Sequence, residues 1–250
     1  MTRLFMFIAI LTAASFAIAA DYPTLVKETP GLVAYWRFEQ ESGSTVTDSV
    51  GEHYGRVELA ERVGNGLVGR AVKFDGKRSL VYLFRHPDLE ARTGDFTIEL
   101  WCRPDELGRK GPKGRRINYL LAHKMSPFAH GSAGWYLTLR KDGTLHMRIT
   151  ETRERQIVAE SKTPVISAGN WSQVTAVRSG NVLRLYVNGR PVAEGTGSLG
   201  VDTRIYGDLL LGGSIWGNKI PGLIDEVAYY NVALPAGEIG RHFQAGRPAR

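Results

Sequence analysis

Hydrophobic and polar positions alternate in short runs along most of the chain, and each run stops at a turn signal. Leu32 to Phe38, Phe96 to Arg103, Trp135 to Arg140, Thr144 to Thr150, Asn170 to Arg178 and Val182 to Val187 alternate with period two. Ala71 to Phe74, Leu80 to Phe84, Arg190 to Ala193, Leu209 to Leu211 and Leu223 to Tyr230 are further runs of strand length. Asp75-Gly76, Lys141-Asp142-Gly143, Ser179-Gly180-Asn181 and Asn188-Gly189 read as hairpin turns between them. This spacing predicts an all-β sandwich or barrel. A single helix is expected, over Pro235 to Phe243, with proline near its first turn. No repeat of fixed period and no linker interrupts the pattern, so one domain is expected over residues 31–243, after a short leader (21–30) and before a tail (244–250).

Residues 1–20 follow a different logic. Arg3 precedes an apolar stretch from Leu4 to Ile18, and Ala17-Ile18-Ala19 ends it with small residues around a cleavage point. That pattern reads as a secretory signal peptide, and it predicts a secreted or periplasmic protein with no membrane span after cleavage.

Composition sharpens the picture in three places. The 29 glycines among 250 residues exceed ordinary usage, in keeping with many tight turns. The lone Cys102 excludes an intramolecular disulfide or a multi-cysteine metal site, and its apolar surroundings predict a buried, inert thiol. Beyond Arg3 the chain carries 31 basic and 25 acidic residues, and five of the basic groups fall in Gly108 to Arg116 (GRKGPKGRR) with no acid. The high pI is therefore mostly a property of one glycine-rich loop. That loop is a candidate contact for an anionic polymer or an envelope protein, or else a solvated hairpin tip.

Read in order, GLVAYWRFEQESGSTVTDSVG, GLVGRAVKFDG, DFTIELWCRP, GWYLTLRKDGTLHMRI, WSQVTAVRSGNVLRLYVNGRPVA, LLLGGS and GLIDEVAYYNVALPAGEI resemble the laminin-G-like jelly-roll family of the concanavalin A-like lectin/glucanase superfamily. The resemblance runs from Gly31 to about Phe243. It implies a two-sheet antiparallel jelly-roll β-sandwich with a short C-terminal helix. It leaves the ligand open, because a fold hosts many functions.

Retaining glucanases of this fold carry Glu-x-Asp-x-x-Glu along one strand, which sets nucleophile and acid about 5–5.5 Å apart. The chain has no such string; its nearest acid pairs are Glu39/Glu41, Asp105/Glu106, Glu151/Glu154 and Asp225/Glu226. Serine-elbow, phosphate-loop and His-Glu-x-x-His motifs are absent, and the six histidines show no ligand spacing, His123 and His130 falling in an expected loop. Catalytic residues are therefore not assigned.

Two binding sites are expected. In Leu223-Ile224-Asp225-Glu226-Val227, alternation forces one acid to share a face with apolar residues, so it must be hydrogen-bonded to turn amides or bound to a cation. Related modules hold a structural Ca²⁺ at the last strand, and the resemblance maps that site onto Asp225 and Glu39. The second site is a sheet face. Alternation points Trp101 and Glu99 away from Phe96, Ile98 and Leu100, and likewise turns Tyr136, Arg140, His146, Arg148, Arg184 and Tyr186 outward. If these share one open sheet, the face suits an extracellular glycan, preferably anionic; if the strands belong to different sheets, the face is an ordinary polar exterior. The expectation is an exported, non-catalytic, lectin-like or adhesion module that binds no nucleic acid. The alternative is a glycoside hydrolase or lyase acting on an extracellular polysaccharide.

Overall fold

The computed structural model describes residues 21–111, 114–125 and 133–248. The signal-peptide reading of residues 1–20 lies outside them, and among the described residues no helix is long and apolar enough to cross a membrane.

Two antiparallel eight-stranded sheets face one another. The first runs β14 (Arg190–Thr196), β13 (Val182–Val187), β12 (Ser172–Ser179), β7 (Phe96–Pro104), β16 (Pro221–Tyr230), β5 (Ala71–Asp75) and β4 (Glu61–Val63), with β1 (Leu32–Trp36) also paired to β16. The second runs β11 (Gln156–Glu160), β10 (Leu145–Thr150), β9 (Gly134–Leu139), β8 (Tyr119–Met125), β15 (Leu209–Leu211), β6 (Leu80–Leu83), β3 (Gly55–Glu58) and β2 (Thr45–Val46). The sandwich predicted by the pattern, in the jelly-roll-like form that the resemblance implies, is therefore present. Its main core takes Phe96, Ile98, Leu100 and Cys102 from the first sheet and Trp135, Leu137, Leu139, Met147 and Ile149 from the second. Burial pushes the Cys102 thiol up to about 12, as an inert packing residue requires.

Five strands (β2, β3, β4, β8 and β11) lie in segments where the sequence pattern predicts none. The Asp75-Gly76 turn is not a hairpin: β5 belongs to the first sheet and β6 to the second, so the chain crosses the sandwich there. The Asp75 carboxylate anchors this crossover by accepting from the amides of Lys77, Arg78 and Ser79 at 2.8–3.0 Å, and its pKa is held well below the ordinary carboxylate range. The other three turns do join paired neighbours.

The leader is a helix, α1 (Tyr22–Glu28), started by the Asp21 side chain accepting from the Thr24 amide at 2.9 Å and by a proline in its first turn. It packs with α2 (Ala236–Gly246) on the outer face of the first sheet, and α2 runs three residues beyond its expected end. A second apolar cluster fills that interface: Tyr22, Val26, Tyr35, Trp101, Tyr186, Tyr230 and Ile239. The Trp101 ring meets Tyr22 edge-on at 6.0 Å and stacks on Phe243 at 5.9 Å. Gly246 permits this approach, since a Cβ there would stand 2.7 Å from Tyr22 and 2.9 Å from Trp101.

Candidate functional site

Helices cover the outer face of the first sheet, which leaves the outer face of the second to solvent. Strand register lines up one residue from each of six strands across that face: Arg56, Tyr82, Leu210, His123, Tyr136 and Arg148 stand directly opposite one another in sequence of pairing. Each alternates with core-facing neighbours such as Val81, Leu83, Leu209, Leu211, Leu137 and Met147, so the row points outward. Arg56 lies over the Tyr82 ring at 4.8 Å, and Tyr136 stacks on His146 at 5.6 Å.

A cavity of about 320 Å³ opens at the middle of the row, lined among others by Tyr82, His123, Leu210, Tyr206 and Trp216. Tyr206 and Trp216 are 78% and 67% exposed, so large apolar rings stand in water at its rim. Arg85 lies over the Tyr206 ring at 4.3 Å. His123 is the buried polar group of this cavity. Its Nε2 is 3.1 Å from the Gly213 carbonyl, which can only accept, so Nε2 carries the proton. Nδ1 is then a lone-pair acceptor, and it has no partner among the described residues. Burial lowers the His123 pKa to about 4, which keeps the ring neutral near neutral pH. Burial, aided by the Arg140 charge, also lowers that of His146.

The expected glycan face divides between the two sheets. Tyr136, Arg140, His146 and Arg148 lie together on the open face, and Arg148 Nε has no partner among the described residues. Arg140, however, is forked onto Glu160, at 2.7 Å for Nη2. Trp101, Glu99 and Tyr186 point away from the main core, as alternation requires, but into the interface beneath the helices rather than into solvent. Arg184 is on that same sheet and pairs with Glu194 at 2.7 Å. These four are thus corrections: Glu99, Trp101 and Tyr186 are covered by helices distant in sequence, whereas Arg184 stays exposed but on the other sheet from Tyr136 and Arg148. His123 is likewise on β8 rather than in a loop, while His130 lies outside the described residues. The pattern missed Tyr82, His123, Tyr206 and Trp216, although the outward position of Tyr82 between Val81 and Leu83 was legible from alternation alone.

In β16, an interior strand of the first sheet, a β-bulge between Asp225 and Ala228 puts Glu226 at φ 51° and turns Val227 to the core side with Ile224. Both acids thereby leave the core-facing set, where strict alternation would have grouped Val227 with Asp225. Asp225 accepts from the amides of Leu67 at 2.8 Å, Val68 at 3.4 Å and Glu226 at 2.8 Å, and Glu39 accepts from Arg70 at 3.3 Å. The two carboxylates therefore grip opposite ends of the Gly66–Arg70 loop. A Cβ at Gly66 would stand 2.8 Å from Asp225 and one at Gly69 2.5 Å from Glu39, so the backbone approaches both carboxylates closely. Burial, opposed by the amides but aided by the Glu39 charge, raises Asp225 to about 8. Burial likewise raises Glu226 to about 9, and Arg37 Nε reaches its Oε1 at 3.2 Å. Both oxygens of Asp225 are thus taken by backbone amides, one of the two arrangements expected for an acid on this strand.

The basic loop is partly built into the fold: Arg109 donates to the Gly76 carbonyl at 2.9 Å, and Lys110 bridges to Arg116. Lys113 lies outside the described residues. A larger cavity, about 970 Å³, lies between β13, β14 and the end of α2, but none of the buried unpartnered polar groups lines it.

A laminin-G family model of the concanavalin A-like lectin/glucanases superfamily matches residues 75–240. Among curated proteins, human pappalysin-1 is 27% identical over 181 residues, covering 68% of this chain but 11% of the relative, and mouse pappalysin-1 is 26% identical over the same length. The chain therefore spans about a tenth of those relatives. Among solved structures, domain 4 of an extracellular arabinanase from Geobacillus stearothermophilus, in complex with arabinotriose, superposes with a TM-score of 0.64 at 20% identity, covering 85% of this chain and 98% of that domain. The binding domain of botulinum neurotoxin DC in complex with SialylT gives 0.66 at 13% identity, covering 87% and 52%. At these identities the likeness establishes the fold alone.

Proposed function

Because the chain belongs to the laminin-G-like family of the concanavalin A-like lectin/glucanases superfamily, we propose that it is an exported, lectin-like binding module whose glycan site is the open face of the second sheet. The observation that carries this reading is a cavity on that face, lined by Tyr82, His123 and Leu210 and rimmed by the exposed rings of Tyr206 and Trp216. Sugar C–H faces pack on such rings, while the polar groups around them take the hydroxyls. Arg148, with an unpartnered Nε beside Tyr136, supplies a charged donor for carboxylate or sulfate and so favours an anionic glycan. The arabinotriose bound by the arabinanase domain supports the substrate class by analogy of fold. Glycoside hydrolysis is the weaker reading, since Asp225 is engaged by three amides and Glu226 by Arg37.

A structural Ca²⁺ held by Asp225 and Glu39, with backbone carbonyls and water completing six to eight oxygens, belongs to the same proposal. It would fasten the Gly66–Arg70 loop to β16.

A glycan array followed by titration of neutral and anionic oligosaccharides tests the binding site. Trp216→Ala and Tyr136→Ala should each weaken binding roughly tenfold, about 1.4 kcal/mol. Arg148→Ala should weaken only the anionic ligands, and more so at low salt. Binding that survives all three substitutions would sink the assignment.

A further inference from the structure

Two histidines thirty-three positions apart meet where the second sheet ends. β3 and β6 pair from Gly55 to Leu83, and the Phe84 amide donates to the Tyr54 carbonyl at 2.9 Å. That pairing sets His53, just before β3, against His86-Pro87-Asp88, just after β6. The rings of His53 and His86 meet edge to face at 4.5 Å. One donor atom from each of His53, His86 and Asp88 lies within 4.8 Å of the others.

His53 is held from behind. Its carbonyl accepts from Trp36 Nε1 at 2.9 Å, and its Nδ1 is 2.8 Å from Asp48 Oδ2. A carboxylate can only accept, so Nδ1 carries the proton and Nε2 presents its lone pair. Asp48 is itself oriented by the amides of Tyr35 at 2.8 Å and Val50 at 3.0 Å. The His53 side chain is 6% exposed, and Nε2 has no hydrogen-bond partner among the described residues. A buried, unpartnered imidazole lone pair aimed at a carboxylate is costly as it stands.

We propose that His53, His86 and Asp88 form a binding site for a divalent transition-metal ion of the Zn²⁺ class, with Asp48 as the residue that orients His53. The separations agree with this chemistry. Bonds of about 2.0–2.2 Å place tetrahedral ligand atoms about 3.3–3.6 Å apart. His53 Nε2 lies 3.6 Å from Asp88 Oδ2, and His86 Nδ1 lies 3.4 Å from the same oxygen; His86 Nδ1 accepts from the Asp88 amide at 3.3 Å, a bond that the ion would replace. Two imidazoles and one carboxylate are a borderline donor set that prefers Zn²⁺ to Ca²⁺, which distinguishes this cluster from the all-oxygen set at Asp225. The carboxylate–histidine pair of Asp48 and His53 is the arrangement that fixes tautomer and raises basicity at metal-bound histidines. His86 and Asp88 are 42% and 59% exposed, so the ion would enter from solvent and keep water on its outer side.

The test uses the chain without an affinity histidine tag, titrated with Zn²⁺ in saturating Ca²⁺, and with Co²⁺ as a visible probe. The expected result is one equivalent bound, a higher melting temperature in Zn²⁺ than in chelator, and Co²⁺ absorption showing mixed nitrogen and oxygen ligation. Asp88→Asn alters an exposed side chain and should melt like wild type in chelator, whereas His86→Ala also loses the acceptor of the Asp88 amide and should melt slightly lower; both should lose at least tenfold in affinity. Asp48→Asn should lose about 10–100-fold while all three ligands remain. Absence of stoichiometric Zn²⁺ binding, or equal binding by the His86 and Asp88 variants, would overturn the site.

Discussion

His242 Nδ1 lies 3.1 Å from Glu99 Oε1, and neither side chain touches solvent. The pair joins α2 to the middle of the first sheet. The same carboxylate accepts from Tyr22 Oη at 2.7 Å and from Thr175 Oγ1 at 3.1 Å, so one buried charge fastens α1, α2, β7 and β12 together. On the other side of the ring, Nε2 is 2.9 Å from Thr29 Oγ1. Although Thr29, His242 and Glu99 line up like a nucleophile, base and orienting acid, all three are buried, so the arrangement is a structural clamp.

Burial alone would lower the His242 pKa, but the hydrogen bond and charge of Glu99, with Glu238, outweigh it and raise the value above 6.5. A raised histidine stabilises the fold fully below 6.5 and loses that contribution as pH climbs through its folded value. Denaturant unfolding across pH 6 to 9 should show this decline in the wild type. In His242→Gln it should be reduced. Glu99→Ala should cost about 3–5 kcal/mol, the penalty for breaking a buried pair.

Asp225 is raised to about 8 from an ordinary 3.8, so without metal its contribution is complete below 3.8 and is lost as pH rises toward 8. A metal needs the ionised carboxylate, hence Ca²⁺ should raise the melting temperature more at pH 8 than at pH 6. Melts in Ca²⁺ and in excess chelator at both pH values check this, with Asp225→Asn expected to respond to neither.

Gly246→Ala should destabilise the chain by about 1–3 kcal/mol, because the added methyl overlaps Tyr22 and Trp101. Glycan binding should be unaffected, since the helix-covered sheet is not the proposed binding face. Denaturation and titration on the same sample decide both points.

Trp101→Ala and Tyr136→Ala should behave as opposites. The first removes a fully buried ring and should cost about 3–5 kcal/mol with little loss of affinity in the protein that stays folded. The second should leave stability nearly unchanged and reduce binding. Equal effects of the two on binding would contradict the assignment of faces.

The alternation of Phe96, Ile98, Leu100 and Cys102 with Thr97, Glu99 and Trp101 was legible in the sequence, and so was the direction in which each group points. Side-chain direction is local, set by the pleat of one strand. The Asn188-Gly189 hairpin was legible for the same reason: both residues take positive φ, at 51° and 73°, which those two residue types tolerate best. Cover was not legible. Trp101 is buried because α1 and α2, some 80 and 140 positions away, converge on it, and no property of its own strand encodes that. Asp225 and Glu226 both lie off the core side, between core-facing Ile224 and Val227, because one bulge adds a residue to β16. The seven-residue α1 was missed because an isolated helix of that length has little stability of its own, and its apolar face is held by Trp101, Tyr230 and Ile239. His53 and His86 carry no spacing signal at all, since the pairing of β3 with β6 brings them together. The sequence by itself determined which residues share a side of each strand, and hence a sandwich. Only the tertiary structure decided which side meets water, because that depends on contacts between segments far apart in the chain.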